Sequence, residues 1–201
     1  MKKIIALIAV LSLCLCIFAG CSKEEAPTEM PEAEADHPFV EIEIQDFGTV
    51  KVELYPEDAP ITVRNFLDLA ESGFYNGLTF HRIMEGFMMQ GGDPEGTGMG
   101  GSDQTIKGEF SANGIDNPLS HTRGAISMAR SQNPDSASSQ FFIVHQDSTF
   151  LDGQYACFGY VTEGMDVVDA VCQYSSTVVK DQNDTLAAED QPVITEIRVM
   201  E

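Results

Sequence analysis

The sequence predicts a mainly β fold: a closed antiparallel barrel with helices covering its ends. Two observations carry this. Many short segments have the period-2 alternation or the brief apolar run of a strand. Only two stretches, one opening at Pro60 and one at 163–173, place apolar residues at helical spacing.

The elements follow in order. Residues 39–45 (FVEIEIQ) alternate apolar and polar, Phe47-Gly48 marks a turn, and Thr49 to Tyr55 alternates again, so a hairpin opens the domain. Pro60 suits the first turn of a helix, with Glu57 and Asp58 near its positive end. Val63, Phe66, Leu67 and Ala70 lie on one face of it, and Gly73 ends it. Further strands are expected at 79–84, 87–91, 125–129, 140–144, 156–161 and 193–200. In the second helix, Met165, Val168, Val171 and Cys172 can face a core. This pattern alone does not fix the strand number, and no internal repeat is seen.

Residues 1–20 read as an export signal. Lys2 and Lys3 start it, and Ile4 to Phe18 is apolar yet short for a bilayer span. It ends at Phe18-Ala19-Gly20-Cys21, which resembles a bacterial lipobox, with Cys21 as the thiol that takes the lipid. Phe18 departs from the usual leucine. Cys14 and Cys16 fit less well, and an uncleaved anchor or an ordinary secretory signal is the alternative. Residues 22–37 hold six acids, one lysine, two prolines and no aromatic. Such a segment cannot bury enough apolar surface to fold, so 21–37 is expected to be an acidic disordered tether.

Residues 38–201 suffice for one compact domain. They carry 8 basic and 26 acidic residues, a net charge of −18, within the −21 of the whole chain. Such a domain repels nucleic acid and anionic surfaces, so no nucleic-acid partner is expected. Beyond Cys21, the mature chain keeps Cys157 and Cys172, whose spacing matches no zinc pattern. Two buried free thiols are expected over a bridge, although an extracellular location permits one.

Three separated motifs carry the chemistry: FHRIMEGFMMQGGD at 80–93, GAISMAR at 124–130 and SSQFFI at 138–143. Together, and in this order, they closely resemble the cyclophilin family of peptidyl-prolyl cis/trans isomerases, from about Phe39 to Met200. The resemblance implies an eight-stranded barrel capped by two helices, no cofactor and no metal. Turning an X-Pro bond needs no covalent intermediate. The proline ring must be gripped, the other side must rotate, and a donor must stabilise the pyramidal prolyl nitrogen of the twisted state. A guanidinium, always charged and rigid, suits that last task.

On the resemblance, Arg82 is the catalytic donor. Phe87, Met88, Phe142 and Leu151 match the proline pocket, Gln90 holds the arginine and substrate backbone, and Gln140 adds a polar contact. Ala129 and Arg130 lie where backbone groups pair with an extended peptide, and His81 lines the site. Three positions depart from many members. Arg130 stands for asparagine and sets an extra cation beside the groove. Phe150 stands for the tryptophan of cyclosporin-sensitive members, which implies weak cyclosporin binding. Tyr155 replaces a histidine of the groove wall.

Other signals are weaker. GTGMGG at 96–101 satisfies a dinucleotide fingerprint but is not followed by a helical pattern. Asp181, Asn183 and Asp184 lack the glycine and terminal glutamate of a calcium loop and read as an acidic turn. His37, His81, His121 and His145 show no ligand spacing, and Ser127 and Ser139 show no recognisable base partner. The expected protein is a monomeric, lipid-anchored, extracytoplasmic isomerase acting on unfolded, proline-containing polypeptides. Its rival is a proline-peptide binding module or holdase without turnover. Arg82 discriminates the two, because a binder can lose it and keep affinity.

Overall fold

The computed structural model describes residues 37–200; the expected export signal at 1–20, the expected lipidation site Cys21 and residues 22–36 of the expected tether lie outside the described residues. Eight strands form one antiparallel sheet: β1 (Phe39–Ile44), β2 (Gly48–Leu54), β3 (Arg82–Met84), β4 (Met88–Gly91), β5 (Ala125–Met128), β6 (Phe141–Val144), β7 (Cys157–Glu163) and β8 (Ile194–Met200). Their order is β3-β4-β6-β5-β7-β2-β1-β8. The sheet curls until its two edges meet. Thr79 bridges Asp93 on one side and Val193 on the other. Phe80 N–H donates to the Pro192 carbonyl at 2.9 Å, and Ile194 N–H to that of Leu78 at 2.7 Å. Thr79 keeps the β3–β4 register through Asp93, as an extension of β3 requires, and Thr79 and Phe80 also close the seam toward β8.

The opening hairpin forms as its alternation dictates. Val40, Ile42 and Ile44 face Val52, Val50 and Gly48 across the ladder, and all the valines and isoleucines of that set are buried. Helix α1 (Pro60–Glu71) follows, with Pro60 in its first turn. Gly73 at φ 73° ends it. Gly73 N–H reaches the Ala70 carbonyl and Phe74 N–H that of Leu69, satisfying the last free carbonyls. Glu57 and Asp58 lie just before its positive end, but the hydrogen bonds to its first turn come from buried Glu109, 47 residues from Thr62. Its carboxylate accepts from Ile61 N at 3.0 Å, and from Thr62 N and Thr62 Oγ1 at 2.7 Å each.

Helix α1 leans on β8, and helix α2 (Met165–Ser175) on β2, β3 and β4. Phe66 of α1 enters the barrel end, 5.3 Å edge-on from Phe141 and 5.2 Å from Tyr75 and Phe158. Val168, Val171 and Cys172 of α2 are buried as expected. Cys157 and Cys172 are both buried and unpaired. Among the described residues, no helix is long and apolar enough to cross a membrane.

Strands β4, β5 and β6 carry buried apolar side chains on both faces, and this creates the site. Ile83, Met89, Ile126, Met128, Phe141 and Ile143 point into the main core. Their strand neighbours Met88, Ala125, Phe142 and Val144 form a second, smaller cluster with Leu151 and Cys157 on the opposite face. Period-2 geometry makes the two sets alternate along each strand.

Candidate active site

The second cluster opens into a cavity of about 500 Å³ lined by His81, Arg82, Phe87, Met88, Gln90, Ala129, Arg130, Phe142, Leu151 and Tyr155 among others. Ladder register brings these residues together. Arg82 pairs with Gln90, Gln90 with Phe142 and Met84 with Met88, so one sheet face carries a cation, an amide and an apolar floor. Met88, Phe142 and Leu151 are buried, and Tyr155 stands edge-on to Phe142 at 5.9 Å. Such a cup of rings and thioether fits a pyrrolidine.

Three anchors hold the Arg82 guanidinium. Nε donates to the Asn183 carbonyl at 3.0 Å, Nη1 to Gln90 Oε1 at 3.4 Å, and Nη2 contacts Met84 Sδ at 3.3 Å. Gln90 Nε2 in turn donates to Gln140 Oε1 at 2.8 Å, and Gln140 Nε2 to the Gly100 carbonyl at 2.7 Å. Gln140 thus lies behind Gln90, in an adjoining groove with Gly100, Ser102 and Ser138. Phe150 is not among the lining residues. It stands two-thirds exposed at the mouth, its ring 5.7 Å from Phe87.

Arg130 is no free cation. Its Nε and Nη2 donate to the Gln154 carbonyl and its Nη1 to that of Ser131. The guanidinium lies over Phe110 at 5.1 Å and over Tyr155 at 4.6 Å. It therefore stiffens the groove wall. The Ala129 N–H donates to the Gln140 carbonyl at 2.9 Å.

Beside Arg82, His81 is buried and neither ring nitrogen has a protein partner. Burial depresses its pKa, the nearby Asp93 carboxylate opposes this and Arg82 reinforces it. The ring is therefore neutral at pH 7. Asp93 organises the glycine loop. It accepts the N–H of Glu95 at 2.8 Å, Thr97 at 3.0 Å and Gly98 at 2.6 Å. Burial alone would raise its pKa, but these bonds and one from Gly100 hold it below the usual carboxylate range.

Sequence reasoning missed six lining residues. Asp93 carries Thr97, Gly98 and Met99 to the cavity, and a turn after α2 brings Asp181, Asn183 and Thr185. The expectation that Ser127 lacks a base partner is also corrected. His121 places Nε2 3.0 Å from Ser127 Oγ and Nδ1 2.8 Å from Asp152 Oδ1. Ser127 and His121 are wholly buried, so no ester or peptide bond can reach the hydroxyl. The His121 ring is stacked 6.0 Å from Phe142, on the pocket floor. Burial lowers its pKa against the pull of Asp152. No group of three or more metal-ligating side chains occurs among the described residues.

A cavity that pairs a fixed guanidinium with an apolar cup, and offers no nucleophile, suits electrostatic rather than covalent chemistry. Comparison with known proteins gives the family. Residues 39–199 match the family described as cyclophilin type peptidyl-prolyl cis-trans isomerase/CLD. The chain is 50% identical over 123 residues to the peptidyl-prolyl cis-trans isomerase B of Bacillus subtilis, covering 61% of this chain and 82% of that protein. It is 47% identical over 128 residues to the peptidyl-prolyl cis-trans isomerase of Helicobacter pylori, covering 63% and 76%. Among solved structures, it resembles a Cryptosporidium parvum cyclophilin type isomerase. The TM-score is 0.72 at 30% identity, covering 82% of this chain and 98% of that one. The same parasite enzyme solved in the presence of the dipeptide Ala-Pro gives a TM-score of 0.70 at 30% identity, covering 81% and 99%.

Proposed function

The chain belongs to the cyclophilin type peptidyl-prolyl cis-trans isomerase family and has that activity; from this premise we propose that it serves as a lipid-anchored folding helper for exported polypeptides, with Arg82 as its catalytic residue. The observation that carries the mechanism is the shared cavity of Arg82 with Phe87, Met88, Phe142 and Leu151.

The unaided barrier is about 18–20 kcal/mol, because the X-Pro amide keeps partial double-bond character. The apolar cup grips the proline ring by burying it. The residue before proline stays in the open part of the groove and can turn. In the twisted state the prolyl nitrogen gains a lone pair, and an N–H of Arg82 meets it there. This interaction exists only in the transition state, so it raises turnover rather than affinity. Gln90 and the Asn183 carbonyl keep the guanidinium from reorganising as the bond turns. No proton is transferred and no cofactor enters. The Ala-Pro dipeptide with the parasite relative supports proline-containing peptides as substrates.

The membrane location rests on the sequence at 1–21, where a short apolar segment ends at Cys21. Translocated chains emerge unfolded beside the membrane, and a tether raises the local concentration of isomerase there.

Two experiments test this reading. The cis-to-trans rate of a short X-Pro peptide is compared between the wild-type chain and Arg82→Ala. A loss of about 10²-fold or more, with the fold intact by circular dichroism, is expected; a variant as fast as wild type removes Arg82 from the mechanism. Palmitate incorporation in growing cells is expected to vanish in Cys21→Ser, and label that persists there overturns the anchor. A binding module without turnover would instead show peptide affinity and no acceleration.

A further inference from the structure

Residues 176–186 follow α2 and return alongside β3. The hairpin lies against β3 by its backbone: Leu186 N–H donates to the His81 carbonyl at 2.9 Å, and Thr185 bridges Arg82. Lys180 fastens its base, donating from Nζ to the Ile83 carbonyl at 2.7 Å and to Ser175 Oγ at 3.1 Å. The tip is closed by Asp181. Its Oδ1 accepts from Asn183 N at 2.7 Å and Thr185 N at 3.0 Å, while its own N–H donates to the Thr185 carbonyl at 2.9 Å. Asp184 then sits at φ 61°, a conformation aspartate tolerates. The product of this turn is the Asn183 carbonyl, aimed at Arg82 Nε.

Two of the three anchors on the guanidinium, Gln90 and Met84, come from β4 and β3. The third comes from this turn, 101 residues along the chain from Arg82. A main-chain carbonyl has no side chain of its own to aim it, so its place depends on what shapes the turn. Thr185 and Asn183 backbone N–H groups hold the Asp181 carboxyl below the usual range, so it is ionised and accepting across neutral pH.

We propose that Asp181 is a positioning residue for the isomerase reaction, setting the Arg82 guanidinium through the Asn183 carbonyl. This rests on Arg82 being the donor to the twisted amide. Asp181 also borders the groove, so its test must separate action through Arg82 from contact with substrate.

The full chain is compared with Asp181→Ala, Asp181→Asn, Arg82→Ala and the double variant Arg82→Ala/Asp181→Ala. In Asp181→Ala, kcat/KM is expected to fall about tenfold, while peptide affinity by NMR titration stays within about twofold. Asp181→Asn keeps an oxygen for the same two N–H groups and is expected within about threefold of wild type. In the Arg82→Ala background the Asp181→Ala change should cost nothing further, because the two act as one unit. The ¹⁵Nε–¹H resonance of Arg82 should shift in Asp181→Ala and hold in Asp181→Asn. An equal loss in both backgrounds, a loss of affinity in place of turnover, or an unmoved Arg82 resonance overturns the proposal. If Arg82→Ala itself keeps full rate, the catalytic reading falls, and the Arg82 resonance still decides whether Asp181 holds the guanidinium.

Discussion

The side-chain amide of Gln90 donates to Gln140 Oε1 at 2.8 Å, and that bond decides which end of Gln90 meets Arg82. The Gly100 carbonyl can only accept, so Gln140 turns its NH₂ there and its oxygen toward Gln90. Gln90 must then present NH₂ to Gln140 and oxygen to Nη1 of Arg82. One backbone carbonyl thus sets the polarity of a relay that ends at the Arg82 guanidinium.

Gln140→Glu breaks that relay at its outer end. A carboxylate still accepts from the Gln90 amide, but it cannot donate to the Gly100 carbonyl and faces it as a second acceptor, which pushes the side chain off its place. Turnover on an X-Pro peptide is expected to fall about tenfold, since Gln90 loses a fixed partner and a misaimed donor loses transition-state stabilisation. Gln140→Ala is expected to fall less, because it frees Gln90 without setting two acceptors against each other. Wild-type rates in both variants would show that the Gly100 contact does not set Gln90.

Arg82→Lys tests geometry rather than charge. The three anchors engage three separate nitrogens of a planar fork. An ammonium is a point charge and cannot satisfy all three while still facing the substrate. The variant is expected to lose about 10²-fold in kcat/KM, with little change in peptide affinity. Near-wild-type turnover would show that positive charge alone suffices.

Glu109 is expected to be the costliest single carboxylate to remove from the fold. It accepts three hydrogen bonds at the start of α1 and is buried. Glu109→Ala orphans two backbone N–H groups and the Thr62 hydroxyl, at a cost of about 2–4 kcal/mol. Glu109→Gln keeps one acceptor oxygen and is expected to cost about half as much. Urea unfolding gives the values. A loss in Glu109→Ala no larger than that of an exposed side chain would rule out this cap.

The contrast between Glu109 and Pro60 shows what a sequence carries. Pro60, Gly73 and the alternation of 39–45 act on their own neighbours, so spacing alone places α1 and the opening hairpin. Glu109 acts on residues 47 and 48 positions away, and nothing local to either end of that contact announces it. The site divides the same way. Arg82, Gln90 and Phe142 stand within compact motifs, and strand register alone sets them on one face. Asp181 and Asn183 reach the site through a turn after α2, and His121 reaches Asp152 across 31 residues. Arg130 reads as a free cation in sequence, because only the fold supplies the Gln154 carbonyl and the Tyr155 ring that occupy it.

His81 and His121 predict the direction of acid sensitivity. Burial depresses both pKa values below the ordinary 6.5. As pH falls through 6.5, the unfolded chain takes up protons there and the folded chain does not. Stability is therefore present above 6.5 and is lost progressively down toward the folded values. His37 opposes this. Its pKa is raised by the Glu53 hydrogen bond, and its contribution is full below 6.5 and lost as pH rises through its folded value; it is near the surface and screened. His81→Leu removes one buried base and two unpartnered ring nitrogens. Its stability relative to wild type is expected to be greater at pH 5 than at pH 7.5, measured by urea midpoints. An equal difference at both values would mean that His81 takes up its proton in the fold.

Phe150 offers the means to separate inhibitor binding from turnover. It stands two-thirds exposed beside Phe87, outside the cavity that holds Arg82. An indole there would add area at the mouth and one N–H donor, without entering the apolar cup. Phe150→Trp is expected to raise cyclosporin affinity about tenfold, the worth of one hydrogen bond and some aromatic contact, measured by calorimetry. Turnover of a short X-Pro peptide should stay within about twofold, since no anchor of the guanidinium and no wall of the proline cup is altered. If turnover changed as much as affinity, the exposed ring would have to reach the residue before proline, and the mouth of the groove would belong to the catalytic site.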